Sequence, residues 1–235
     1  MDLSVVVPVF NEADNLEALE KEIEEVMNKT GFDYEIIYVD DASTDGSGKI
    51  LKSLAEKHQK VKVVSFERNH GQSEALLAGF KKSGGKWILT LDADGQNPPE
   101  DFAQLIPFCQ THDFITGIRK DRKDSFTKKA GSKIAKISRR LILGDTTKDT
   151  GCSLRMFKRE VVETIPFVRN FHRFFTFLAG LQGFSVKEVC VQHKKRQFGR
   201  SKYGNLRRLW QGGFDLWNVY QLKKRIIKNE AKYRR

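Results

Sequence analysis

Trp87-Ile88-Leu89-Thr90-Leu91-Asp92-Ala93-Asp94-Gly95-Gln96 passes without a break from five strand-forming residues into two carboxylates one residue apart. A short apolar run of this kind suits a strand buried in a sheet, and the polar residues that follow mark its end. Once the chain relaxes into a loop, Asp92 and Asp94 can turn towards one point. Two close carboxylates repel there, and one is driven to hold its proton. A divalent cation removes that conflict, and oxygen ligands suit Mg2+ or Mn2+. A lone Asp-x-Asp is a weak signal because many surface loops contain one; its position after a buried strand gives it weight.

Outward from this run, strand-like segments at 3–10, 34–40, 61–66 and 114–118 alternate with helical patterns near 15–29, 48–58, 72–83 and 99–109. Leu16, Leu19, Ile23 and Val26 recur at the three-to-four spacing of one buried helix face. Strand and helix alternating at this interval predict βαβ crossovers: an α/β fold with a mostly parallel central sheet flanked by helices. Ligands of such sheets bind at the carboxyl ends of the strands. Those ends carry Asn11-Glu12, Asp40-Asp41, Asn69-His70-Gly71-Gln72 and Asp92-Ala93-Asp94. Asp40 to Gly46 also has the composition of an Asx turn and helix cap, and is expected to serve both purposes.

Three stretches resemble the signatures of family-two glycosyltransferases: Ser4-Val-Val-Val-Pro8-Val-Phe10-Asn11-Glu12, Val39-Asp40-Asp41-Ala42-Ser43-Thr44-Asp45-Gly46, and Leu91-Asp-Ala-Asp94-Gly-Gln96-Asn97-Pro98-Pro99-Glu100. More closely they resemble the dolichyl- and polyprenyl-phosphate sugar synthases, the dolichol-phosphate mannose synthase group. The likeness continues through Gly117-Ile118-Arg119, Asp149 to Arg155, His172-Arg173-Phe174 and Arg196 to Gly204, in family order over 3–204. It implies a GT-A type nucleotide-diphospho-sugar transferase fold and an inverting transfer from a nucleotide-diphosphate sugar. Pro8, Phe10, Glu12 and Asp41 would line the nucleoside pocket, joined by Gln72 and Ala93. Asp92, Asp94 and Gln96 would hold Mg2+ or Mn2+, which neutralises charge on the departing diphosphate. A basic loop carrying Arg196, Ser201 and Lys202 would close on that diphosphate.

The resemblance also implies a polyprenyl-phosphate acceptor, and the arginines of the second half agree with it. A phosphate monoester is largely ionised near neutrality, with a second pKa of about 6, so it attacks without a strong base. It needs cationic groups to hold two anionic partners together, and guanidinium forks match phosphate oxygens. Arg119 and Arg155 would face this centre. Lys128 and Ser132, four apart on an expected helix face, would contact the acceptor phosphate. The family usually has arginine at the Lys128 position. An alternative acceptor is a sugar hydroxyl of a cell-envelope polysaccharide, with Asp149 as base, although the Gln-x-x-Arg-Trp motif of processive synthases is absent. A non-catalytic nucleic-acid binder would explain the basic tail but would leave the acidic strand ends without purpose.

The chain has 235 residues and a net charge of +12. Residues 186–235 hold fifteen Lys/Arg and three Asp/Glu, so the whole excess lies in the last fifth. Such a tail is attracted to an anionic surface. From Leu206, the apolar residues Leu209, Trp210, Phe214, Trp217 and Tyr220 recur between Arg207-Arg208 and Lys223-Lys224-Arg225. They predict a helix lying on an anionic membrane, or one packed on the catalytic domain or a dimer mate. The expected division is a catalytic domain at 1–204 and a membrane-associating or partner-docking helix at 205–235. Many relatives carry spanning helices here, which leaves attachment through the helix itself or through a small membrane partner protein; a homo-oligomer is a further candidate partner. Neither a signal peptide nor a run of ~18 apolar residues is evident, and the three cysteines form no framework. The expected location is cytoplasmic, peripheral on the membrane's cytoplasmic face, without a nucleic-acid partner.

Overall fold

The computed structural model describes residues 1–120, 126–194 and 205–233, with side chains described except at 126–130, 205–211 and 229–233. The first half follows the expected alternation: β1 (Leu3–Val9), α1 (Ala13–Thr30), β2 (Tyr34–Asp40), α2 (Ser47–Lys57), β3 (Val61–Ser65), α3 (Gln72–Lys82) and β4 (Trp87–Thr90). After it come α4 (Phe102–Leu105), β5 (Phe114–Arg119), α5 (Phe126–Leu143), β6 (Arg155–Lys158), α6 (Arg159–Thr164), α7 (Phe175–Leu181), β7 (Val186–Val191) and α8 (Asn205–Tyr233).

One seven-stranded sheet forms in the order β3-β2-β1-β4-β6-β5-β7. All pairings are parallel except those of β6, which runs against both β4 and β5. β2 is buried along its whole length, as expected of a parallel strand covered on both faces. Alternate residues feed two cores. Val5, Val7 and Val9 meet Leu16, Leu19, Ile23 and Met27 of α1. Val6 joins Ala75, Leu76 and Phe80 of α3 on the other face. There Phe80, Phe157 and Phe175 form an edge-and-stack cluster with ring centroids 4.9 to 5.9 Å apart. α3 approaches β1 so closely that a side chain at Gly79 would strike Val6.

Two expectations are corrected. The helix read at 99–109 is a 3-10 turn at Pro99–Asp101, a single α-turn and a second 3-10 turn at Ile106–Gln110. Pro107 has no N–H to carry an α-helix onward. The strand β6 was not anticipated, because four residues are too few to show a period.

Of the alternatives read from its sequence, α8 shows packing on the catalytic domain along one face. Asp215 and Val219 are buried, and Leu216, Tyr220 and Leu222 pack against the second core. Phe214, Trp217 and Ile227 are exposed. The expectations for Leu206, Arg207, Arg208, Leu209 and Trp210 fall on side chains outside those described.

Candidate active site

The carboxyl ends of β1, β2, β3 and β4 open into one cleft of about 2020 Å3. β1 and β4 are neighbours whose following loops diverge, because β2 and β3 lie on one side of β1 and β4 on the other. Such a switch point is where an open α/β sheet leaves room for a ligand.

The loop after β2 is tied to the start of α1. The Asn11 amide donates to Ser43 Oγ at 2.9 Å, the Glu12 amide to Ser47 Oγ at 3.0 Å and the Ala13 amide to Asp45 Oδ2 at 3.0 Å. Asn11 and Ala42 take φ of 53° and 59° to make these turns, a conformation that is uncommon outside glycine. Asp40 accepts the Ser43 amide at 3.0 Å and Asp45 the Ser47 amide at 3.0 Å, which is the expected Asx geometry. Glu12 accepts from Asn15 Nδ2 at 2.8 Å.

Asp41 has a second task that its residue type did not reveal. It is 3% exposed and accepts the backbone amides of His70 at 2.6 Å and Gly71 at 2.8 Å, one on each oxygen. Asn69 Nδ2 donates to its carbonyl at 3.3 Å. Asp41 thereby holds the loop that enters α3, where Gly71 adopts a φ of 92°.

At the end of β4, Asp92 Oδ1 accepts from Gln72 Nε2 at 2.7 Å. Burial, then the charge of Asp94, pushes the Asp92 carboxyl up to about 6, against the opposing influence of Ser153, Arg155 and Arg119. Asp94 accepts the Gln96 amide at 3.1 Å. Ser153 was not foreseen as a site residue. Its Oγ accepts from the Asp92 amide at 3.1 Å and from Asn97 Nδ2 at 2.7 Å, and its carbonyl accepts from Thr90 Oγ1 at 2.6 Å. It therefore binds the strand end to the loop before β6. The signal lay in the stretch from Asp149 to Arg155, but the partners are separated by 56 to 63 residues.

The antiparallel β6 brings its first residue to the same rim, since Arg155 pairs in register with Thr90. Arg155 is 4% exposed and donates through Nη2 to the Thr150 carbonyl at 3.1 Å. Its buried Nε has no acceptor among the described residues. Burial works against its charge, while Cys152, Asp92 and Asp149 favour it. Arg119 ends β5 and meets Asp149 in a bidentate fork, Nε to Oδ2 at 2.8 Å and Nη2 to Oδ1 at 2.9 Å. The Gly151 amide also donates to Asp149 Oδ1, at 3.0 Å.

Pro8, Phe10, Glu12, Asp41, Gln72, Asp92, Ala93, Asp94, Gln96, Arg119 and Arg155 all line this one cleft, and Ser132 lines its α5 wall. Arg196, Ser201 and Lys202 lie outside the described residues, as does the side chain of Lys128. The cleft also takes in His172, whose Nδ1 lies 2.7 Å from Ser73 Oγ.

Residues 4–165 match the model of glycosyl transferase family 2. The chain belongs to that family. Two curated relatives are undecaprenyl-phosphate 4-deoxy-4-formamido-L-arabinose transferases. The one from Edwardsiella ictaluri (strain 93-146) is 36% identical over 204 residues, covering 86% of this chain and 63% of its own. The one from Pseudomonas paraeruginosa (strain DSM 24068 / PA7) is 37% identical over 209 residues, covering 88% and 62%. The chain thus spans a little under two thirds of the length of these relatives. Among solved structures, glucosyl-3-phosphoglycerate synthase from Mycobacterium tuberculosis, in complex with Mg2+ and UDP, superposes with a TM-score of 0.67 at 18% identity, covering 92% of this chain and 79% of the other. A mannosyltransferase from Pyrobaculum calidifontis, in complex with GDP-Man and Mn2+, gives 0.63 at 21%, covering 85% and 58%. The family-two chain has the GT-A fold expected from its sequence.

Proposed function

We propose that this chain transfers a sugar from a nucleotide diphosphate to a polyprenyl phosphate, with inversion at the transferred carbon. The observation that carries the reading is one cleft that holds a carboxylate pair at the end of β4 and, within electrostatic reach of Asp92, two guanidinium groups, Arg119 and Arg155. The names of the two curated relatives above, both undecaprenyl-phosphate sugar transferases, support the acceptor.

The residues at the rim fit a divalent cation. Asp92 is a half-buried carboxyl pushed up to about 6 by desolvation and by Asp94, which is the conflict that a cation resolves. Asp92, Asp94 and Gln96 would hold it with oxygen donors alone, as Mg2+ or Mn2+ prefer. No cluster of three or more His, Cys, Asp or Glu poised for a metal occurs among the described residues, so donor phosphate oxygens would complete the shell. When bound, the ion supplies Lewis-acid neutralisation of the leaving diphosphate.

The protein's own groups perform the remaining tasks. Pro8, Phe10, Glu12 and Asp41 seat the nucleoside, and Gln72 orients Asp92 through its 2.7 Å bond. Arg155 offers a buried, acceptor-free Nε to a phosphate oxygen. Arg119, pinned by Asp149, compensates the acceptor's charge together with Ser132 and Lys128. Arg196, Ser201 and Lys202 close on the donor. The acceptor phosphate, with a second pKa of about 6, attacks directly from the face opposite the leaving group and needs no base. Asp149, the base required for a hydroxyl acceptor, has both oxygens engaged by Arg119 and Gly151. That engagement favours the phosphate acceptor.

The acceptor places the reaction at a membrane, and the reading here is peripheral attachment at the cytoplasmic face. Residues 1–204 are the catalytic unit and 205–235 its docking helix. Among the described residues no helix is long and apolar enough to cross a membrane. Ile134, Ile137 and Leu141 of α5 and Phe214 and Trp217 of α8 are exposed, with Lys133, Lys136, Arg140, Lys224 and Arg225 exposed around them. Each basic residue near an anionic surface contributes about 1 kcal/mol. The test is transfer of labelled sugar from a panel of nucleotide donors to polyprenyl phosphate, with and without Mg2+ or Mn2+. Metal-dependent, organic-extractable product is expected; donor hydrolysis without lipid product would refute the acceptor.

A further inference from the structure

Asp215 stands on the buried stripe of α8, four residues before Val219, and is 2% exposed. A carboxylate there is costly unless it is bonded. Its partners lie outside the helix. Asn170 Nδ2 donates to both of its oxygens, at 3.1 and 2.9 Å. Arg173 Nη1 stands 3.6 Å away. Asn170 precedes the 3-10 turn Phe171–Arg173, entering it at a φ of 57°, and Arg173 is the turn's last residue. Inside that turn, His172 Nδ1 is 2.7 Å from Ser73 Oγ, with the direction of the bond set by the imidazole tautomer. Ser73 follows Gln72 at the start of α3, and Gln72 holds Asp92.

We infer that Asp215 is a positioning residue of the donor site: it fixes the turn Phe171–Arg173, so that His172 holds the first turn of α3 and Gln72 at Asp92. The inference rests on the donor-site reading above. A buried carboxylate spanning to a strained turn explains why α8 spends a core position on a charge, whereas Leu or Val there would pack α8 with no such demand. A second bond of α8, Lys223 Nζ to the Leu143 carbonyl at 2.7 Å, holds the helix to the end of α5 and involves none of these residues.

The test compares Asp215→Ala, Asp215→Asn and Lys223→Leu in the full chain. Amide exchange at 75–77 reads the first turn of α3 without any ligand, and calorimetry with UDP or GDP plus Mn2+ reads the donor site. Asp215→Ala should speed exchange at 75–77 by about tenfold and weaken nucleotide binding by a similar factor. Asp215→Asn keeps one acceptor oxygen for Asn170 and should recover most of both, while Lys223→Leu should change neither. If Asp215→Ala does not fold, His172→Ala and Ser73→Ala probe the same link, and each should match the double variant. Unchanged exchange at 75–77 in Asp215→Ala, or additive effects of His172→Ala and Ser73→Ala, overturns the inference. A wild-type chain that binds neither nucleotide overturns the donor-site reading instead, and the exchange data still decide the role of Asp215.

Discussion

Replacing Asp41 by asparagine keeps the shape of the side chain and turns one acceptor oxygen into a donor. Both oxygens are in use, for the His70 amide at 2.6 Å and the Gly71 amide at 2.8 Å, so one backbone N–H must then face an NH2 group. The position is 3% exposed, so water gives little relief. Losing one charge-assisted bond removes about 1.5–3 kcal/mol, and the stranded N–H adds to that, so the loop before α3 should weaken by about 2–4 kcal/mol. Part of this falls on donor binding, because the nucleotide must then order the loop itself. A share of about 2 kcal/mol corresponds to a roughly thirtyfold weaker Kd. Calorimetry with UDP or GDP and Mn2+ reads the affinity, while amide exchange at His70 and Gly71 reads the loop. Weaker binding with unchanged exchange would mean that Asp41 acts only by touching the nucleotide. Unchanged binding and unchanged exchange would refute the reasoning entirely.

Asp92→Asn removes a half-buried charge that Asp94 opposes, so thermal stability should hold or rise while metal-dependent turnover falls by about 10²-fold or more; a variant retaining Mn2+-stimulated transfer would refute the metal assignment. Gly85→Ala places a methyl 2.6 Å from the Leu3 carbonyl carbon and the Ser4 nitrogen. Backbone cannot yield as a side chain can, so urea denaturation should show a loss of about 1–3 kcal/mol. Asp113 is held by Lys158 Nζ at 2.7 Å and by Ser185 Oγ at 2.6 Å. The bond from Lys158, followed by those from Ser185, brings the Asp113 carboxyl down to about 2. A carboxyl depressed on folding stabilises above its unfolded pKa of about 4, and that contribution drains away as pH falls from about 4 to 2. The stability gap between wild type and Asp113→Asn should therefore close over that interval, and a gap independent of pH would refute the pairing.

The first half of the fold was legible because each of its cues is local. Leu16, Leu19 and Ile23 are buried at the spacing read from the sequence, and the polar residues of four strand ends meet in one cleft. Asp41 was read as a residue of the nucleoside pocket but not as the anchor of the loop before α3, since its partners come 29 and 30 residues later. Arg155 was placed at the phosphate centre through the family pattern, while the strand that carries it went unseen. The bonds of Ser153, and the path from Asp215 to Ser73, join residues with no pattern between them. Only the folded chain brings them together. Pro107 was visible, yet the helical pattern around it was read through the break.

The position of β6 has a consequence for exchanging parts between enzymes. β1 to β4 form one side of the sheet, β5 to β7 form the other, and the two sides join where β4 meets β6 over the four pairs from Trp87–Lys158 to Thr90–Arg155. Every strand of the first side precedes every strand of the second in the chain, so the polypeptide passes from one set to the other once. A chimaera with a single crossover between β4 and β5 would therefore join the first four strands of this chain to the last three of another family member. Such a hybrid must match along that seam and also across the other joins between the halves, among them Phe80 with Phe157 and Phe175, Ser153 with Asp92, and His172 with Ser73.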